Sequence, residues 1–270
     1  MHKVVTIAGS DTSGGAGILA DVKVFQKHRL YPMTILTSIV TQTSSEWKHE
    51  VHPVDIIIIE KQMDTVFDGI GGIDAIKTGL LPTTETIECV ARKLSVLVKA
   101  KKVKYIVIDP VMKCKGDEQS ENDLLNTKQI VDAYIKYLLP LATVVTPNLF
   151  EAGQLAKTQT PTTVDDMKNA AKTIYEYGVK NVIIKGGGDS KKSVNLLYDG
   201  KNFDLIEGEY VDTKCTHGTG CVFSACITAQ LANGKTNIQD AVRSAKEYVA
   251  NALKKTSFKV NDHVGTMTHE

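Results

Sequence analysis

IDAIKTGLLPTTETIECVARKLSVLVKAKKVKYIVIDP, residues 73–110, decides the fold. Residues 73–79 read as a strand, 83–98 as a helix, and 103–110 as a second strand whose continuous apolar run marks it as buried. The same alternation runs outward in both directions. Toward the N-terminus, VVTIAG (4–9) precedes a helical ILADVKVFQKH (18–28), then MTILTSIV (33–40) and the mostly helical VDIIIIEKQMDTVFDGI (54–70). Toward the C-terminus come VDAYIKYLLPLA, which holds a helix, a strand at TVVTPN (143–148), a helix at 164–178 ending on glycine, and a strand at 179–188. NLLYDG and KNFDLIEGEYV read as a hairpin turning at Asp199-Gly200. Apolar strands separated by helices imply an α/β fold with a mainly parallel sheet covered on both faces.

The 270 residues suffice for one large domain, and no linker or repeat divides them, so a single domain over 1–270 is expected. Lys and Arg total 32 against 31 Asp and Glu, a net charge of +1, so no global field favours nucleic acid or an anionic membrane. The longest apolar runs are too short to span a bilayer. MHKVVTIAGSD enters a strand without the apolar region of a signal peptide, and five cysteines without a CxxC pair argue against a disulfide framework or zinc site; together these point to the cytoplasm. KCKGDEQSEN (113–122) follows a strand's carboxyl end and is polar, which suits a solvated loop or an active-site lid.

Three glycine segments invite a phosphate reading. Gly15-Ala16-Gly17-Ile18-Leu19-Ala20 formally fits GxGxxA, but too many residues separate it from the preceding strand, and MTILTSIV runs into Thr41-Gln42-Thr43 with no acidic residue to hold a ribose. A dinucleotide-binding oxidoreductase is therefore not expected; Asp11 and Ser13 among those glycines suit a small-ligand pocket. Gly234-Lys235-Thr236 resembles the end of a Walker A loop but closes a helix instead of opening one. In CTHGTGCVFSACITAQL (215–231), Gly218, Thr219 and Gly220 lead into an apolar helix, whose free N–H groups and positive dipole end make an anion site. Cys221 stands in the first turn, where a thiolate is favoured, although a small core residue reads equally well there.

AGSDTSGGAG (8–17), DPVM (109–112), TPNLFEA (146–152), IIKGGG (183–188) and THGTGC (216–221), in that order, resemble the ribokinase-type vitamin kinases. The nearest branch holds the hydroxymethylpyrimidine/phosphomethylpyrimidine kinases and the two-cysteine pyridoxal kinases. The resemblance implies a three-layer α/β/α sandwich, ATP and Mg²⁺, and transfer of the γ-phosphoryl group to a hydroxymethyl on a heteroaromatic ring. It implies that Gly218, Thr219 and Gly220 form the anion hole and that Cys221 takes the substrate proton. It places Asn148, Glu151 and Asp109 around magnesium, through water, and Lys185 on the ATP phosphates. Asp11, Leu80 and Val111 would surround the ring, and a homodimer is implied.

The substrate expectation is vitamin B6 (pyridoxal, pyridoxine, pyridoxamine), with hydroxymethylpyrimidine as the alternative. Gln42 matches the glutamine that reads the aminopyrimidine in pyrimidine kinases. Cys114 in DPVMKCKG and His49 in Trp47-Lys48-His49 match the pyridoxal kinases, where the lid thiol suggests a hemithioacetal with the pyridoxal aldehyde. Leu19 and Lys113 depart from the usual glutamine and valine. A binding regulator that has lost catalysis would show a broken catalytic set, and the set is intact.

Overall fold

The computed structural model describes residues 1–43, 47–69, 72–112, 121–188, 192–255, 259–260 and 265–267. In chain order the elements are β1 (Lys3–Asp11), α1 (Gly17–Lys27), β2 (Tyr31–Gln42), β3 (His49–Pro53), α2 (Ile56–Gly69), β4 (Ile73–Thr78), α3 (Thr84–Lys99) and β5 (Val103–Ile108). Then follow α4 (Glu121–Ala133), β6 (Val144–Val145), α5 (Leu149–Ala156), α6 (Val164–Glu176), β7 (Val182–Gly188), β8 (Lys192–Tyr198), β9 (Phe203–Glu209), α7 (Thr219–Ala232) and α8 (Ile238–Lys255).

Among the described residues nine strands form one sheet in the order β3-β2-β1-β4-β5-β6-β7-β8-β9. Pairing is parallel from β2 through β7 and antiparallel at both ends, where β3 meets β2 and the β7-β8-β9 meander closes the sheet. Side chains of a strand alternate between faces. Ile7, Ile35, Ile76, Ile106 and Ile184 pack under α2 to α6. Val4, Ala75, Val107 and Ile183 pack under α1, α7 and α8. Each fully buried Val or Ile among them contributes about 2 kcal/mol. The sandwich expected from the sequence is the one observed, and its topology matters for function. The strand order reverses between β1 and β4, and α/β sheets open a crevice outside the strand ends at such a point.

Local chemistry explains most boundaries. Thr83 caps α3 through the Thr86 N–H, and Thr163 with Asp166 forms a reciprocal capping box at α6. The expected hairpin turns where the Asp199 carboxylate accepts the N–H groups of Lys201 and Asn202 at 2.8 and 2.6 Å. Several elements differ from the sequence reading. TVVTPN shrinks to Val144–Val145, because Pro147 cannot donate to a ladder and Asn148 already caps α5. β1 runs on to Asp11 through a register shift at Ala8/Gly9, so it brings that carboxylate to the crevice itself. After α4 the chain tightens through a π turn, Tyr134–Leu138, and a 3-10 turn, Leu139–Leu141. Edge strand β3 and helix α8 were not anticipated as elements. Residues 113–120 of the expected lid, Cys114 among them, lie outside the described residues. No helix among those described is long and apolar enough to cross a membrane.

Candidate active site

A cavity of about 460 Å³ opens at the carboxyl ends of β1, β4 and β5 and beside β7. Two helix N-termini face it. α1 starts after Ala16 and α7 after Gly218, and neither has a side-chain cap, in contrast to α3, α5 and α6. No side chain therefore competes for these helix starts, where the Gly17 N–H turns to the Cys221 sulfur and the Thr219 N–H meets the Thr216 carbonyl at 3.4 Å. Gly218, Thr219, Gly220 and Cys221 all line it, as the sequence predicts. Gly218 adopts φ 81°, and the Thr219 hydroxyl donates to the Thr216 carbonyl at 3.0 Å, which fixes the entry to α7.

Cys221 departs from expectation in its acidity. Burial pushes its thiol up to about 11, and although Lys77 and the Gly17 N–H favour the thiolate, Asp21 and Asp109 oppose it. Burial and the two carboxylates together outweigh the Lys77 ammonium and the Gly17 N–H. The thiol opens on the cavity, but as a protonated group in the ligand-free protein.

Asp109 is the hub of one side of the cavity. It is buried just beyond β5, and its Oδ1 receives the Lys185 ammonium at 2.7 Å and the Thr146 hydroxyl at 3.1 Å. Its Oδ2 receives the Ser224 hydroxyl from α7 at 3.0 Å. Asn148 and Glu151 form the capping box of α5: Asn148 Oδ1 accepts the Glu151 N–H, and Glu151 Oε2 accepts the Asn148 N–H, both at 2.8 Å. Burial raises the Glu151 carboxyl to about 7, with Lys185 pulling it down and Asp109 pushing it up. Among the described residues no cluster of three His, Cys, Asp or Glu is suited to direct metal ligation.

Glu151 yields a stability prediction. Its folded value of about 7 lies above its ordinary 4.5, so the group favours folding most below 4.5 and loses that contribution as pH rises to about 7. Gln at this position keeps an acceptor for the Asn148 N–H and never ionises. Glu151→Gln should therefore raise Tm relative to wild type by about 3 °C or more above pH 7, with the gap vanishing in acid. Thermal melts across pH check this, and a gap independent of pH would refute it.

Asp11 organises the other side of the cavity. Its Oδ2 lies 2.6 Å from His217 Nε2 and accepts the Ser13 hydroxyl at 2.9 Å, while its Oδ1 accepts the Gln42 amide at 2.7 Å and the Ser13 N–H at 2.9 Å. Burial alone would raise this carboxyl, but the hydrogen bonds from His217 and Ser13 hold it far below the usual range. His49 and His217 both line the cavity, their rings 5.9 Å apart. Leu80, Val111, Val40 and Phe150 supply apolar wall. Gln42 ends β2 opposite His49, but it is turned onto Asp11 and is not part of the cavity wall. His217 was not singled out from the sequence; its place inside THGTGC, next to the anion loop, was the available signal.

A three-layer sandwich with an open anion-binding helix, a buried lysine-aspartate pair and a thiol at one crevice defines a ribokinase-like kinase. The family described as phosphomethylpyrimidine kinase matches residues 11–268. Pyridoxine kinase of Bacillus subtilis is 48% identical over 272 residues, covering 100% of this chain and 96% of that protein. The hydroxymethylpyrimidine/phosphomethylpyrimidine kinase of the same organism is 37% identical over 258 residues, covering 95% of this chain and 90% of that protein. The structure of Staphylococcus aureus pyridoxal kinase in complex with AMP-PCP and pyridoxal superposes with a TM-score of 0.88 at 44% identity, covering 100% of this chain and 93% of that one. The chain belongs to the phosphomethylpyrimidine kinase family.

Proposed function

We propose that the protein phosphorylates the hydroxymethyl group of vitamin B6 with ATP and Mg²⁺, as a cytoplasmic homodimer. The observation that carries the B6 reading is the arrangement around Asp11. His49 and His217 reach the cavity, whereas Gln42, the residue that would read an aminopyrimidine, spends its amide on Asp11. The greater identity to pyridoxine kinase points the same way.

The transfer needs charge stabilisation more than covalent help. The N–H groups of Gly218, Thr219 and Gly220 receive the transferring phosphoryl oxygens, and Lys185 moves from Asp109 onto the phosphates. Cys221 first gives up its thiol proton to water, and the thiolate then accepts the hydroxyl proton as the new P–O bond forms and the bond from the γ-phosphorus to the bridging oxygen of the ADP leaving group breaks. Leu80 and Val111 hold the ring, with Asp11 fixing His217 beside it. Asp109 and Glu151 fit a hydrated magnesium ion: both are hard oxygen donors, and Asn148 Oδ1 and Glu151 Oε2 already accept backbone N–H groups, which suits contact through water. The metal supplies neutralisation of phosphate charge. Glu151→Gln should accordingly raise the magnesium concentration needed for half-maximal rate more than the vitamin KM; an unshifted magnesium titration would remove this role.

ADP release with MgATP and each of pyridoxal, pyridoxine, pyridoxamine and hydroxymethylpyrimidine tests the function. The B6 vitamers should give the higher kcat/KM. A wide preference for hydroxymethylpyrimidine would reassign the substrate, and no release with any would favour a binding regulator. The same assay on Cys114→Ala tests the lid thiol. Its thiolate would add to the pyridoxal aldehyde, forming a C–S bond while the carbonyl oxygen takes a proton. Pyridoxal turnover should then fall by about tenfold or more, the scale of a lost positioning contact, with pyridoxine turnover nearly intact. Equal losses would sink the hemithioacetal.

A further inference from the structure

Beneath the cavity floor lies an ion pair that the transfer step leaves unused. Lys77 Nζ meets Asp21 Oδ2 at 2.8 Å, with both side chains fully buried. Thr6 adds a hydroxyl to the same Asp21 oxygen at 2.6 Å. Val4 of β1 and Ala75 of β4 face α1 and α7. Two residues further along those strands, Thr6 and Lys77 face the same way, where an apolar pair would be expected.

This pair is poorly explained by stability. Removing two charges from water costs about as much as their attraction returns, and apolar replacements of such pairs are often neutral or better. Here the cost is compounded, because Asp21 Oδ1 has no hydrogen-bond partner among the described residues. Its location offers another account. Lys77 Nζ lies 3.3 Å from the position a Cβ on Gly79 would take, and Gly79 lines the cavity together with Cys221. Asp21 sits on the second turn of α1, whose first residue, Gly17, directs its N–H to the Cys221 sulfur.

We propose that Lys77, anchored by Asp21, is a positioning residue for Cys221: it keeps the N-terminus of α1 against the thiol and sets a buried positive charge beside it. The charged groups that act on Cys221 come from four elements. Lys77 of β4 favours the thiolate most strongly, while Asp21 of α1 and Asp109, after β5, oppose it. Lys185 of β7 interacts with the thiol in turn. Burial disfavours the Lys77 ammonium, yet Asp21, Cys221 and Asp109 more than offset this and hold it charged. Lys185 is neutralised by Asp109 in this arrangement and is the cation that leaves for the phosphates, so Lys77 is the cation that stays with the thiol.

The inference rests on Cys221 as the proton acceptor, and its test separates the two. Iodoacetamide alkylation of the full-length protein, read on the Cys221 peptide by mass spectrometry over a pH series, reports the thiol without needing turnover. Lys77→Met should move the alkylation midpoint up by about one pH unit, and Asp21→Asn, which leaves the ammonium uncompensated, should move it down by about as much. A purely structural pair would move neither midpoint, or both in one direction, and either result overturns the proposal. If an unpaired charge prevents folding, the double variant Lys77→Met/Asp21→Asn removes both charges. Its midpoint should still rise, because Lys77 acts on the thiol more strongly than Asp21, and an unmoved midpoint there is equally fatal. In kinetics, Lys77→Met should lower kcat by about tenfold, the scale of one pH unit in the thiol, and leave the ATP KM unchanged. Shifted midpoints with unchanged kcat would keep Lys77 in its role and remove Cys221 as the proton acceptor.

Discussion

Cys221→Ala lowers kcat by about 10²-fold or more, the scale of a lost general base, while the KM for ATP stays close to that of wild type. Alanine is the best helix former and introduces no new polar group, so α7 keeps its first turn. The N–H groups proposed to receive phosphate are backbone and survive the substitution. What disappears is the sulfur that faces Gly17, Lys77 and the cavity. With the thiol at about 11, only about one in a thousand is ionised at pH 8. The wild-type kcat/KM for the vitamin should therefore climb with pH through the alkaline range, and the variant should lose that slope. Steady-state kinetics over pH on both proteins read the two effects together. A variant with near-wild-type kcat and the same pH slope would make Cys221 packing, and the base would have to be sought elsewhere.

The central strands were legible because they are buried on both faces and write themselves as continuous β-branched runs; β4, α3 and β5 follow residues 73–110 closely. The site was legible where backbone made it: the glycines before α7 announce an anion-binding helix start, and the structure leaves that start uncapped over the cavity. What escaped has separate causes. β3 is an edge strand, HEVHP, with its last four residues exposed, so it carries no apolar alternation to read. α8 does carry a clear apolar stripe, Ile238, Ala241, Val242, Ala245, Val249 and Leu253, and was missed because the reading stopped at the helix end marked by Gly234-Lys235-Thr236. The acidity of Cys221 was misjudged because local sequence shows the helix start but not Asp21 and Asp109, which the fold brings in from α1 and the end of β5. The His217–Asp11 contact joins residues 206 apart and has no local signature.

Gly218→Ala should disable the enzyme more thoroughly than loss of a single side chain. Gly218 holds φ 81°, which a residue with a Cβ adopts at a cost of about 1 kcal/mol or more. Its Cβ would also stand 1.8 Å from the Gly15 carbonyl oxygen and 2.8 Å from the Gly15 carbon. That neighbour is backbone and cannot swing aside, so either the loop between β1 and α1 or the N-terminus of α7 must shift. Both border the cavity through Ala16, Gly17 and Thr219. Displaced donors lose a transition-state oxyanion steeply, and a fall in kcat of about 10²- to 10³-fold is expected. Gly234 separates this from general damage. It has φ 89° at the opposite end of α7, and a Cβ there meets nothing within 4 Å. Gly234→Ala should thus carry the conformational cost alone, lowering Tm by about 2–4 °C per kcal/mol with kcat unchanged. Circular dichroism melts and ADP-release kinetics on the two variants decide the matter. If Gly218→Ala behaves like Gly234→Ala, losing stability but keeping kcat, then the close approach of the β1–α1 loop to α7 is a packing device and the anion hole does not depend on it.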